Sequence, residues 1–230
     1  MQQIAFAGLG RMGLPMCAAL VRAGYQVTAT DKRADAEEAA MACGATWRDT
    51  PAQAAAAAGV LITMLPGPRE VQAAMLGEAG ALKELAAGAT WIDMTSNSPA
   101  AARPIREQAI EQGVEVLEAP VGGGIAAARE GKLQLFVGGA AGAVERHRAL
   151  LGVVGDPGRI VHTGGTEPGT PPNCWSTSCG SARQSPPPRR CCWGSARASI
   201  LRSWSMPSPA ALRPAHSSAA TSAWRSKAIT

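Results

Sequence analysis

The chain has 230 residues, 46% of them hydrophobic, enough to bury the core of one large domain or two small ones. Its net charge of +5 is unevenly spread: residues 168–230 carry eight of the 22 Lys and Arg and no Asp or Glu, which leaves 14 basic against 17 acidic side chains, net −3, in residues 1–167. The basic balance therefore does not describe the first 167 residues or their partners, and no apolar run reaches the roughly 18 residues that a membrane span needs.

The opening "MQQIAFAGLG" has no basic n-region, so it does not read as a secretory signal, and a cytoplasmic location is expected. Residues 4–7 (IAFA) form a short apolar strand that ends at Gly8. Residues 13–23 are apolar at helical spacing and stop at Gly24, a usual residue just past a helix end. A second strand covers 25–30 and ends at Asp31, and a charged helix over 34–43 closes at Gly44. Residues 45–48 give a short strand, and 51–58 a short helix with Thr50 as its N-cap. The run VLITML, residues 60–65, has the β-branched and large apolar content of a buried strand. Helices are expected over 69–76 and 79–86, a strand over 90–93, and a helix over 99–112 ending at Gly113. Strands over 114–118, 134–137 and 160–162 complete the set, with helices at about 125–129 and 142–151 between them.

Strands alternating with helices of about ten residues argue for βαβ units, so the fold class is α/β with a doubly wound, mainly parallel sheet. Cys17 and Cys43 fall in the helical patterns, where a small buried thiol is the expected role. His147 lies in the charged stretch VERHRAL and reads as a solvated surface residue. Asp93 is expected to organise the end of its strand, and Lys132 to be exposed.

The stretch GLGRMG, Gly8-Leu9-Gly10-Arg11-Met12-Gly13, is G-x-G-x-x-G. It follows a strand, opens a helix and precedes an acidic residue at the end of the second strand, and that context makes the pattern specific for a dinucleotide. Gly8 permits the tight turn, Gly10 admits a pyrophosphate to the backbone, and Gly13 lets helix and strand pack closely. The helix N-terminus faces the phosphate charge. Asp31 would accept hydrogen bonds from the adenine ribose and repel a 2′-phosphate, which favours NAD; Lys32 and Arg33 could pair with such a phosphate, so NADP stays open.

Four segments in order, GLGRMGLPM (8–16), ITMLPGP (62–68), IDMTSNSP (92–99) and EAPVGGGIAAAREGKLQLFVGG (118–139), resemble the β-hydroxyacid dehydrogenases, a family that includes 3-hydroxyisobutyrate dehydrogenase and tartronate semialdehyde reductase. The resemblance covers residues 1–165. It implies an NAD(P)-binding Rossmann domain, hydride transfer between a small 3-hydroxy acid or its semialdehyde and the cofactor, Leu65 and Pro66 beside the cofactor ribose, and Ser96 in place of a cofactor-contacting Thr. Gly122, Gly123 and Gly124 match the family's substrate-carboxylate loop, with Gly122 departing from its usual Ser. Exposed amides between a strand end and a helix start also suit an anion on physical grounds.

Past residue 165 the composition changes to Pro, Ser, Arg, Cys and Trp. The family carries its general acid/base Lys just after the last Rossmann strand, in G-x-x-x-K-x-x-x-N at the start of a long helix. Here the segment EPGTPPNCW has no Lys, and its prolines forbid the helix, so no catalytic residue is assigned. Reverse translation in a shifted frame from Gly169 permits H-T-A-K-L-L-V-N, and the same shift over 184–194 permits V-A-T-A-E-A-L-L-L-G. A change of frame near 166–169 is therefore expected, with 166–230 an out-of-frame, disordered basic tail and the family's all-helical second domain absent. The cysteine spacings in that segment match no metal pattern, and no metal site is expected.

The resulting expectation is an NAD-dependent 3-hydroxyacid dehydrogenase fold that is catalytically crippled. The alternatives are an NAD(P)-binding module without catalysis, and a basic tail conferring weak nucleic-acid binding through its eight cations and its tryptophans. Those cations lack a folded face, so nucleic acid is not an expected partner, nor is a membrane. Without the helical domain, apolar surface is expected around Leu65, Val121 and Ile125, with no regular dimer.

Overall fold

The computed structural model describes residues 2–97 and 99–165. The expectations for 166–230, including disorder, changed frame and nucleic-acid contact, lie outside the described residues.

Each strand of the first half is short and followed by a helix. These are β1 (Gln3–Ala7), α1 (Gly13–Arg22), β2 (Gln26–Thr30), α2 (Ala36–Ala42), β3 (Thr46–Trp47), α3 (Pro51–Ala55), β4 (Val60–Thr63), α4 (Pro68–Leu76), β5 (Thr90–Asp93) and α5 (Pro99–Glu111). The second half adds β6 (Glu115–Glu118), β7 (Val121–Gly122), α6 (Gly124–Glu130), β8 (Leu133–Gly138), α7 (Ala141–Arg146), α8 (Arg148–Val154) and β9 (Gly155–Gly164). Thr50 caps α3 as its sequence position predicts, its hydroxyl accepting the Gln53 N–H at 3.2 Å.

The sheet runs β3-β2-β1-β4-β5-β6-β8-β7, with β9 pairing along β8. Strands β1 to β6 are parallel, β8 lies antiparallel to β6 and β7, and β9 is parallel to β8. The order 3-2-1-4-5-6 is that of a Rossmann fold, with its reversal at β1. Alternation along the strands feeds two cores. Ile4, Phe6, Ile62, Ile92 and Leu117 join Met16 and Leu20 of α1 and Leu150 and Leu151 of α8 on one face. Ala5, Ala7, Leu61, Trp91 and Val116 pack on Val71 and Met75 of α4 and Ile105 of α5 on the other. A parallel sheet covered on both faces demands such apolar runs. Cys17 is buried and Cys43 half-buried.

Four features depart from the sequence reading. The helix expected over 79–86 is a single 3-10 turn, Leu82–Glu84. Its apolar residues Ala81, Leu82 and Leu85 fill the core, but the chain at Gly80 comes back onto the end of α4, where a Cβ would lie 2.5 Å from the Met75 carbonyl oxygen. The helix expected over 142–151 breaks at His147 into α7 and α8. His147 is 6% exposed, not solvated, and its Nε2 lies 2.9 Å from the Thr90 hydroxyl. A charged sequence neighbourhood hid that inward turn. The two-residue β7 was too short to read, and β9 is longer than 160–162 because its edge position tolerates Pro157.

The expected apolar exposure is also corrected. Val121 is 9% exposed, Leu65 and Ile125 are half-buried, and the exposed large hydrophobics among the described residues are Met41, Ile110 and Val161. Lys132 is exposed and pairs with Glu130 at 3.0 Å. Among the described residues no helix is long and apolar enough to cross a membrane.

Candidate functional site

At the C-terminal end of β1 the chain leaves the sheet at Gly8, whose N–H donates to the Thr30 carbonyl at 2.9 Å. Gly8 has φ +103°, and a Cβ there would stand 2.3 Å from the Met64 carbonyl oxygen. A side chain is thus excluded both by conformation and by the neighbouring strand end. A Cβ on Gly13 would lie 1.9 Å from the Gly8 carbonyl oxygen, which is the close helix–strand approach its place in the motif predicts. Gly10 differs: a Cβ would meet nothing within 4 Å. No packing contact demands glycine there, and the open space lies where a diphosphate would approach the backbone.

Leu9 is buried, Gly10 and Arg11 are exposed, and Met12 is half-buried at the start of α1. The loop is tied to β2 by one carboxylate. Asp31 Oδ2 accepts the Leu9 N–H at 2.6 Å, and its Oδ1 accepts the Arg33 N–H at 2.8 Å. Arg33 folds back over this pair, its Nε 3.5 Å from Asp31 and a terminal NH₂ 3.4 Å from the Leu9 carbonyl. The position of Arg33 was not legible from the sequence, which only placed a cation next to the acid.

Leu65 and Pro66 follow β4 beside this loop, with Leu65 Cδ2 2.8 Å from where a Cβ on Gly8 would be. The Leu65 N–H donates to the Thr95 hydroxyl at 3.1 Å, so the turn after β4 is joined to the turn after β5. Ser96 is exposed on that second turn, between the buried Thr95 and the half-buried Asn97.

Beneath both turns is Asp93. Its Oδ1 accepts the Thr63 hydroxyl at 2.8 Å and the Thr95 N–H at 3.0 Å, and its Oδ2 accepts the Asn97 side-chain amide. Burial pushes the carboxyl up from 3.8 to about 6, against the lowering effect of those hydrogen bonds. The sequence reading placed Asp93 as an organiser of the strand end, and it is one. It missed Thr63, Thr95 and Asn97, although a cluster of polar residues closing two buried strands was the available signal.

Gly122 is half-buried at the end of β7, and Gly123 (φ +118°) and Gly124 (φ +73°) are exposed where α6 begins. A cleft of about 620 Å³ is lined by Gly10, Arg11 and Leu14, by Ala39 and Ala42 of α2, and by Ile125 and Arg129 of α6. The loop and the start of α6 therefore open onto a shared space.

Comparison with known proteins matches residues 3–164 to the NAD-binding domain of 6-phosphogluconate dehydrogenase. The chain is 38% identical over 164 residues to an NAD-dependent L-serine dehydrogenase of Pseudomonas aeruginosa, covering 71% of this chain and 54% of that protein. It is likewise 38% identical over 164 residues to the 3-hydroxyisobutyrate dehydrogenase of the same organism, with the same coverage. The chain belongs to the β-hydroxyacid dehydrogenase family. Among solved structures, the 3-hydroxyisobutyrate dehydrogenase of Mycobacterium tuberculosis with L-serine superposes with a TM-score of 0.68 at 35% identity, over 72% of this chain and 55% of that one. The chain thus spans about half the length of the relatives it matches. What the chain shares with them is the NAD(P)-binding half. The open Gly10, the short Gly8–Gly13 approach and the acid at the end of β2 all fit a dinucleotide.

Proposed function

We propose that residues 1–165 bind NAD as the cofactor half of a 3-hydroxyacid dehydrogenase, and that this chain does not turn over. The observation carrying the first part is the Leu9–Asp31 bond beside an unfilled Gly10: the loop is held in shape by the protein while its outer surface is left open. Gly8 through Gly13 would hold the diphosphate, Asp31 the adenine ribose, and Leu65, Pro66 and Ser96 the turns along the rest of the cofactor. Asp31 disfavours a 2′-phosphate, so NAD is the preferred form, with NADP the weaker one. When bound, the nicotinamide supplies or accepts a hydride. Gly122, Gly123 and Gly124 would present backbone amides to the carboxylate of a small 3-hydroxy acid.

Proton transfer to or from the substrate oxygen needs a positioned acid or base. The residues that follow β9 (167–175, EPGTPPNCW) include no Lys, and of the lysines in the described residues Lys32 is exposed next to Asp31, Lys83 bonds the Glu78 carbonyl and Lys132 bonds Glu130. We attribute the missing group to a change of coding frame near 166–169. Turnover of L-serine or 3-hydroxyisobutyrate with NAD is expected at background rate. Rates typical of a dehydrogenase would contradict the inactivity. Reading the gene across the codon for Gly169 tests its cause: a single-base change should restore a Lys and a long helix, and finding none removes the frame explanation.

A further inference from the structure

Resting on the NAD-binding reading above, we propose that Asp93 is the positioning residue for both turns that face the cofactor, Leu65–Pro66 and Thr95–Asn97, and that it holds them in binding geometry only as a carboxylate. The two turns follow different strands, thirty residues apart in sequence, and the carboxylate sits beneath both.

Every bond to Asp93 is donated to it. Thr63 at the end of β4 gives its hydroxyl hydrogen at 2.8 Å, and Thr63 in turn accepts the Trp91 indole N–H at 3.0 Å. The Thr63 hydrogen points to Asp93 because an ionised carboxylate only accepts, while the Trp91 indole only donates. Thr95 gives its backbone N–H at 3.0 Å. The Thr95 hydroxyl oxygen accepts the Leu65 N–H at 3.1 Å. Asp93 therefore anchors the backbone of Thr95, and the Thr95 hydroxyl in turn holds Leu65.

On the far side, the Asn97 amide donates to Oδ2, while Asn97 Oδ1 is buried without a partner among the described residues. Among the described residues, the bond to the Asp93 carboxylate is thus the one that orients this amide. Ser96 is exposed between two residues that are both clamped to Asp93. Protonation removes the negative charge that makes these bonds charge-assisted, so the Thr63, Thr95 and Asn97 bonds weaken together and the two turns loosen.

The charged groups nearby are few. On β6, Glu118 is the register neighbour of Asp93 and is paired with Arg106 of α5. On β4 the register neighbour is Thr63, which is neutral. Burial at this position raises the carboxyl to about 6, so the loosening falls in an accessible range of pH.

The test is calorimetric titration of the full chain with NAD between pH 5 and 8, using the oxidised cofactor because it is stable in acid. The native dissociation constant should be level above pH 7 and rise by up to about tenfold at pH 5, as single-proton linkage to a group near 6 requires. Asp93→Asn should bind about tenfold more weakly at pH 8 and show a flat profile. Thr63→Val removes a donor to the carboxylate and should move the native midpoint to higher pH, which keeps the test decisive if Asp93→Asn fails to fold. Identical profiles for native and Thr63→Val chains, or a native profile without slope, overturn the role of Asp93 alone. Absence of NAD binding by the folded native chain at pH 8 overturns the cofactor reading and this inference with it.

Discussion

Leu9 and Asp31, 22 residues apart, are joined by a 2.6 Å hydrogen bond from the backbone N–H of one to the carboxylate of the other. The bond locks the first turn of the glycine loop to the end of β2. It also turns the acid toward the loop, where a ribose adjoining a bound diphosphate would meet it. One side chain thereby shapes the loop and, under the proposed reading, would set its cofactor preference.

Replacing Asp31 with Asn should therefore weaken NAD binding by roughly tenfold or more, the usual worth of a hydrogen bond to a charged group. NADP should lose less, because the repulsion of its 2′-phosphate disappears and Arg33, freed from Asp31, becomes available to it. Parallel titrations with the two cofactors check this; an unchanged NAD-to-NADP ratio would remove Asp31 from the preference.

Gly10 and Gly13 should separate binding from folding. Gly13→Ala places a Cβ 1.9 Å from a backbone oxygen, and the fold should lose about 3 kcal/mol or more. Gly10→Ala meets nothing within 4 Å, so its stability should stay within about 0.5 kcal/mol of native while NAD affinity falls. Urea unfolding with a NAD titration on each variant reads both effects. Equal loss of stability in the two would contradict the open space at Gly10.

His147 should make stability fall in mild acid. Its ring is buried beside Thr90, with Arg146 of α7 and Glu115 of β6 as the neighbouring charges, and burial lowers its pKa from 6.5. The unfolded chain takes up a proton that the folded one resists, so this contribution is full above 6.5 and is lost as pH falls toward the folded value. Asp93 acts oppositely: raised from 3.8 to about 6, its contribution is full below 3.8 and lost as pH rises through 6. Unfolding of native and His147→Gln chains at pH 5.5 and 7.5 isolates the histidine. The variant should lose less stability on acidification, and an equal loss would show that the ring does not titrate with folding.

The alternation of short apolar strands with helices was legible because a parallel sheet buried on both faces leaves no other pattern for residues such as 4–7 and 60–63. The glycine loop was legible from its spacing together with the strand before it, the helix it opens and the acid ending the next strand, since its requirements are steric and local. What escaped were features that depend on a distant partner. His147 turns inward only because Thr90, 57 residues earlier, receives it. The segment 79–86 has helical spacing but is stopped by the end of α4 folding against it. Thr63, Asp93 and Thr95 look like ordinary strand-end residues until β4 and β5 are set side by side.

The most direct measurement is isothermal titration of the folded full chain with NAD and with NADP at pH 7.5, beside the Gly10→Ala variant. Saturable NAD binding that is tighter than NADP binding and weakened in the variant is the predicted result. No heat with either dinucleotide, on folded protein, would contradict a dinucleotide site at Gly8–Gly13.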